Sequence, residues 1–232
     1  MSIKLKALGL GVLAVLAMSA FAAMSATAET GGHFTSEVHH TTIVGSENTT
    51  HTTLFSVDGG TQIKCLETSY HGTTDETTET EVTITPTYKT CTTVGASHHT
   101  VTVHTNKCDF LFKVGKSAPT QDNTVEVACS GAPAYFEITH PNCTIRVPAQ
   151  SAATGLQGGV AYTTITKNNK HALTADVTVS EIAAHYEGGI CVFLGTNHKA
   201  TMNGSVTLEG RSGANPVNIT ATGSDNVEHE GS

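Results

Sequence analysis

The sequence predicts an all-β protein: an antiparallel β-sandwich of about a dozen strands, stapled by disulfides and preceded by a signal peptide. Three observations predict it. Threonine supplies 40 of the 232 residues, 39 of them after residue 28, and a β-branched side chain favours strands. Apolar and polar residues alternate at period two along most of the chain, with no sustained helical period. Between the alternating segments lie Asn- and Gly-rich breaks, which supply the positive φ angles of tight hairpins.

The first 28 residues read as a targeting segment. Lys4 and Lys6 precede an uncharged apolar run from Ala7 to Met24, and Ala26-Thr27-Ala28 places small residues where a signal peptidase reads. Cleavage is expected after Ala28. The competing reading is an uncleaved anchor, since about 18 apolar residues just span a bilayer. Glu29-Thr30-Gly31-Gly32 follows as the start of a mature chain would. Cleavage leaves 204 residues with ten cations against 20 anions, a formal charge of −10. An acidic chain with scattered cations has no footprint for nucleic acid and no polybasic patch for anionic lipid. No Cys follows the signal directly, and Gly223 to Ser232 is polar and acidic. The expectation is a secreted, extracellular protein with no membrane association after cleavage. A single sandwich is expected over residues 29–225, followed by a polar tail at 226–232; two sandwiches splitting near Gly131 are the alternative.

Along this domain Leu54-Phe55 and Ile63-Lys64-Cys65 flank an Asp58-Gly59-Gly60 turn. The acidic segment Gly72 to Thr80 reads as a solvated hairpin tip. Val82 with Ile84, Val101 with Val103, Val125 with Val127, Phe136 with Ile138 and Ile145 with Val147 each put an apolar row on one face. Phe110 to Val114 is another strand, ending at Gly115-Lys116-Ser117. Gly159 to Thr166 and His171 to Val179 flank Lys167-Asn168-Asn169-Lys170 as a hairpin. Val177 with Val179, Val206 with Leu208, and Val217 with Ile219 complete the set. Threonine on the opposite rows marks an antiparallel sheet with one wet face. Ser180 to Tyr186 is the one helix candidate, with Ser180 as its cap. No short fixed repeat occurs, which argues against a solenoid.

All six cysteines, Cys65, Cys91, Cys108, Cys129, Cys143 and Cys191, lie after the signal. An even count in an exported chain reads as disulfides. Metal binding would want close pairs such as C-x-x-C, and 13 residues separate even the nearest two, Cys129 and Cys143. Many pairings are open. Local strand-and-return geometry favours Cys91–Cys108 and Cys129–Cys143, which leaves Cys65–Cys191.

Several marks between Val82 and Gln150 go together: Thr85-Pro86-Thr87-Tyr88 leading to Cys91-Thr92, Asn106-Lys107-Cys108-Asp109-Phe110, Val127-Ala128-Cys129, and Asn142-Cys143-Thr144-Ile145 running to Val147-Pro148-Ala149-Gln150. This stretch resembles a group of exported Cys-containing proteins predicted from soil actinobacterial genomes. Members often carry Gly before the third Cys, where this chain has Lys107. The resemblance implies export and an all-β fold. No activity is attached to that group, and no functional residue carries over.

The sequence nominates no catalytic, cofactor-binding or metal-ligating residue. Thirteen His are the most suggestive feature. The pairs His39-His40 and His98-His99 would point to opposite faces of a strand, and His98 and His104 would lie about 20 Å apart along one. Val114-Gly115-Lys116-Ser117 lacks the earlier Gly of a phosphate-binding loop, since Phe110 stands there. Asp109, Glu126, Glu137 and Asp176 could pair for glycoside hydrolysis, but there is no Trp and only five Tyr to make sugar platforms. The T-x-T runs at Thr83 to Thr87 and Thr100 to Thr102 lack the repeat a flat ice-binding face needs. Four N-x-S/T sites begin at Asn48, Asn142, Asn203 and Asn218; beside an Ala-rich, bacterial-type signal they read as incidental. The expected role is non-catalytic, binding an extracellular polymer or protein or serving structurally. A secreted hydrolase and a His-based metal-binding protein are the alternatives.

Overall fold

Alternation of the kind seen around Val82 and Ile84 lets a strand bury one row of side chains and wet the other, and most of the described residues behave this way. The computed structural model describes residues 32–48, 53–56, 62–95, 98–115, 123–132, 134–188 and 198–223. The signal-peptide reading, the 226–232 tail, the Asp58-Gly59-Gly60 turn and Cys191 lie outside them. The strands are β1 (His33–Ser36), β2 (Thr41–Glu47), β3 (Leu54–Ser56), β4 (Gln62–Thr74), β5 (Thr78–Glu79), β6 (Glu81–Val94), β7 (Thr100–His104) and β8 (Cys108–Lys113). They continue with β9 (Thr124–Cys129), β10 (Tyr135–His140), β11 (Cys143–Pro148), β12 (Gln157–Lys167), β13 (Lys170–Glu187), β14 (His198–Ser212), β15 (Asn215–Val217) and β16 (Ile219–Thr222). Gly31–Ser232 forms one unit.

The fold is an all-β antiparallel sandwich, and the faces of the sandwich are continuous through hydrogen bonds. At one end β3 pairs β4, β4 pairs β6, β6 pairs β7, and β7 pairs β10. The circuit runs on through β11, β13 and β14 and returns to β3. These eight strands enclose a core with no open edge between them. Toward the other end the same long strands change neighbours: β4 and β14 pair β2, β6 pairs β8, which pairs β9, and β13 pairs β12. Here β9 and β12 are not ladder partners. The N–H of Val160 donates to the carbonyl of Asn123 at 3.2 Å, and Val127 and Gln150 exchange two backbone bonds of 2.9 Å.

A bulge marks where β13 switches neighbours. Its register shifts between Val179 and Ile182, and Glu181 has φ 58°. An extra residue in a strand bends it and lets its two halves serve different neighbours. Ser180 to Tyr186 is therefore strand, which corrects the helix expectation. The bulge broke the alternation, and beyond it Ile182, Ala184 and Tyr186 are buried at period two. β4 and β6 keep one register throughout, with Leu66 and Thr90 between the pairs Cys65–Cys91 and Glu67–Lys89; their buried faces change together there, and Thr90 has φ 52°.

The inward rows fall where the alternation placed them. Val82, Ile84, Val101, Val125, Phe136, Ile138, Ile145, Val147, Val177, Val179, Val206 and Leu208 are all buried. Val217 and Ile219 are buried too, but on separate strands, β15 and β16. The Asn168-Asn169 turn has φ of 54° and 60°, the two-residue hairpin that joins right-twisted strands.

The disulfides differ from the expected pairs. Cys65 bonds Cys91 and Cys108 bonds Cys129, with Cα atoms 3.9 and 4.0 Å apart. In each link the two residues are direct register partners, on β4 with β6 and on β8 with β9. The expectation of Cys91–Cys108, Cys129–Cys143 and Cys65–Cys191 placed each local link across one intervening strand and its return. Instead β6 lies against β4 at Cys91, and β9 turns directly back on β8 at Cys129. Cys143 is also disulfide-bonded.

Candidate functional site

An eight-strand circuit encloses a space that side chains just fill or that holds one small ligand. This chain underfills it. It has no Trp, and its inward residues at the circuit's centre are mostly Val, Ile and Phe. What remains is an apolar chamber of about 80 Å³. Phe55 of β3, Ile63 of β4, Val103 of β7, Val147 of β11, Ile182 of β13 and Met202 of β14 face it. The Cys65 side of the Cys65–Cys91 link also borders it. A smaller space of about 20 Å³ adjoins, sharing Thr53, Phe110 and Met202. Leaving 80 Å³ empty costs about 2 kcal/mol at the rate measured for core cavities.

The polar groups bordering the chamber are neutral or engaged elsewhere. The carboxylate of Glu126 accepts a hydrogen bond from Lys113 Nζ at 2.9 Å. Burial pushes the phenol of Tyr88 well above its ordinary value, with nearby Tyr70 and Glu47 adding to the shift. Tyr70, beside the smaller space, is pushed up to about 12 by burial, partly offset by its hydrogen bond with Thr53.

On the outside of the same bend lies an open groove of about 540 Å³. Leu66 faces outward beside the inward Cys65 and is 66% exposed. Lys64, Glu67, Ser69, Thr87 and Lys89 line the groove around it. The hydroxyl of Thr68, which also lines it, is buried with no hydrogen-bond partner. The sequence analysis did not single out this surface: Leu66 alternates with the inward Cys65, and the groove forms only where β4 and β6 lie side by side.

The candidate carboxylates do not come together as a pair. Asp109 accepts from the Thr85 hydroxyl at 2.6 Å, Glu137 accepts from Arg146 Nε at 3.2 Å, and Glu126 is held by Lys113. Arg146 also reaches Glu187 and lies 4.9 Å from the centre of the Tyr135 ring. Asp176 is exposed on β13. Gly115 is held by two hydrogen bonds, its N–H donating to Asn123 Oδ1 at 2.9 Å and its carbonyl accepting from the Gly32 N–H; Lys116 and Ser117, and with them the turn expected there, lie outside the described residues.

The histidines disperse. His39 meets Glu76 at 3.1 Å and His40 meets Asp75 at 3.7 Å, both exposed. These contacts dock the acidic hairpin tip onto the turn between β1 and β2. His99 and His140 meet edge to face at 4.9 Å between ring centres, a contact that spacing did not suggest. Among the described residues no three His, Cys, Asp or Glu gather as a metal site would require.

No family model matches this chain, and neither a curated protein nor a solved structure matches it. No helix among the described residues is long and apolar enough to cross a membrane.

Proposed function

We propose that this is a non-catalytic exported protein that binds a protein partner outside the cell. The groove around Leu66 carries the reading. It presents an exposed leucine ringed by two lysines and two glutamates, Lys64, Lys89, Glu47 and Glu67. An apolar anchor within a mixed-charge rim suits a protein surface. A polysaccharide would want aromatic platforms, and none lines the groove. Disulfides support an oxidising compartment, and the candidate catalytic carboxylates Asp109, Glu126 and Glu137 are engaged with neighbouring side chains.

Pull-down with the chain from extracellular proteins and cell-wall polymers tests this. The reading expects a protein partner that wild type retains and that Leu66→Asp or Lys89→Glu loses. Capture of a polymer instead, or retention by both variants, overturns it.

A further inference from the structure

We propose that the chamber inside the eight-strand circuit is a binding site for a compact, uncharged, apolar molecule. This goes beyond the external groove and does not depend on it. The two lie on opposite faces of β4, with Cys65 turned inward and Leu66 outward.

The chemistry follows from the lining. Every strand of the circuit contributes at least one side chain, and nearly all are hydrocarbon. Water entering such a space would find few of the two to four polar partners it needs, and a cavity so largely apolar favours apolar guests. A charged guest would lose its hydration without gaining a counter-ion, because Glu126 is already held by Lys113 at 2.9 Å and Tyr88 is a neutral phenol.

Size sets the upper limit. A cavity of about 150 Å³ lined by Leu, Ile and Phe admits benzene or xenon; this one is about 80 Å³. It is therefore matched to xenon or a short hydrocarbon. Benzene becomes the largest guest, and only if a wall yields. Met202 is that wall. Its unbranched thioether side chain repacks easily, and it borders both the chamber and the adjoining space.

Met202 also supplies the readout. The chain has four methionines, Met1, Met18, Met24 and Met202, so in ¹³C-methyl-labelled protein the signal lost in Met202→Leu belongs to the chamber. Xenon and benzene are the probes. The proposal expects the Met202 methyl resonance to shift saturably with xenon. Val103→Phe and Val127→Phe each put a ring into the space from a different strand. Whichever variant keeps wild-type circular dichroism should lose the saturable xenon shift. If both variants unfold, saturable xenon binding by wild type, with competition from benzene, decides. A linear, non-saturating response in wild type, or an undiminished shift in a folded filled variant, overturns the proposal. Pull-down results at the groove do not bear on either outcome.

Discussion

Gln150 and Ala183 exchange two hydrogen bonds, side chain against backbone: the Ala183 N–H donates to Gln150 Oε1 at 2.8 Å, and Gln150 Nε2 donates to the Ala183 carbonyl at 3.2 Å. The backbone of Gln150 meanwhile pairs Val127 through both its N–H and its carbonyl. One buried residue thus joins β9 to β13 where no strand lies between them. Gln150→Ala would leave both peptide groups of Ala183 without these partners. It should destabilise the protein by about 2–4 kcal/mol, read as a lower denaturant midpoint. A change within about 0.5 kcal/mol, typical of surface positions, would mean that the carboxamide does not close the gap.

Non-reducing peptide mapping should give three links. Cys65–Cys91 and Cys108–Cys129 are direct. Cys143–Cys191 is expected as the third because Cys143 is bonded and β13 ends beside it. A Cβ on Gly188 would lie 3.2 Å from the Cys143 Cα, and Cys191 follows three residues later in the sequence. A peptide joining Cys91 to Cys108 would contradict the strand order.

Lys107 has φ 59° in the turn that opens β8. A left-handed conformation costs an L residue about 1–2 kcal/mol, and Gly adopts it freely but gives back part of the gain through its looser unfolded chain. Lys107→Gly should raise stability by about 0.5–1 kcal/mol, while Lys107→Val should lower it. Equal loss in both would mean that the Lys107 side chain itself contributes.

Stability should fall on the alkaline side through buried phenols. Burial raises Tyr70 from 10 to about 12, and also raises Tyr88 and Tyr162 well above their ordinary value. A raised folded value gives stability that is whole below pH 10 and is lost as pH climbs toward 12. Tyr70→Phe should make that decline shallower. Glu37 has the opposite sign: the hydrogen bonds from Lys170 and the Asn218 N–H hold its carboxyl low. Its contribution is present above pH 4.5 and is lost as pH falls, so Glu37→Gln should flatten the acid limb. Denaturant midpoints across the pH range check both.

The strands and their inward rows were legible because alternation is local: Val82 and Ile84 face the core whichever strand lies beside them. Strand neighbours were not legible, and the disulfides went wrong with them, since β6 chooses β4, β7 and β8 at different points along its length. Ser180-Glu181 read as helix because a bulge shifts the alternation by one, as a helical turn also would. The Leu66 groove was hidden for a different reason: it forms only where β4 and β6 lie side by side. The role of Gln150 was invisible because its carboxamide stands in for a strand that the sequence does not contain. The chamber is a property of the closed circuit: no single strand is short of apolar residues, and the deficit appears only when eight strands surround one space.

Xenon-pressurised crystals test the enclosed chamber most directly. The account predicts one xenon atom inside the circuit, in contact with Met202, Val103 and Val147. Ordered water in that position, or side chains filling it with no xenon bound, would contradict it.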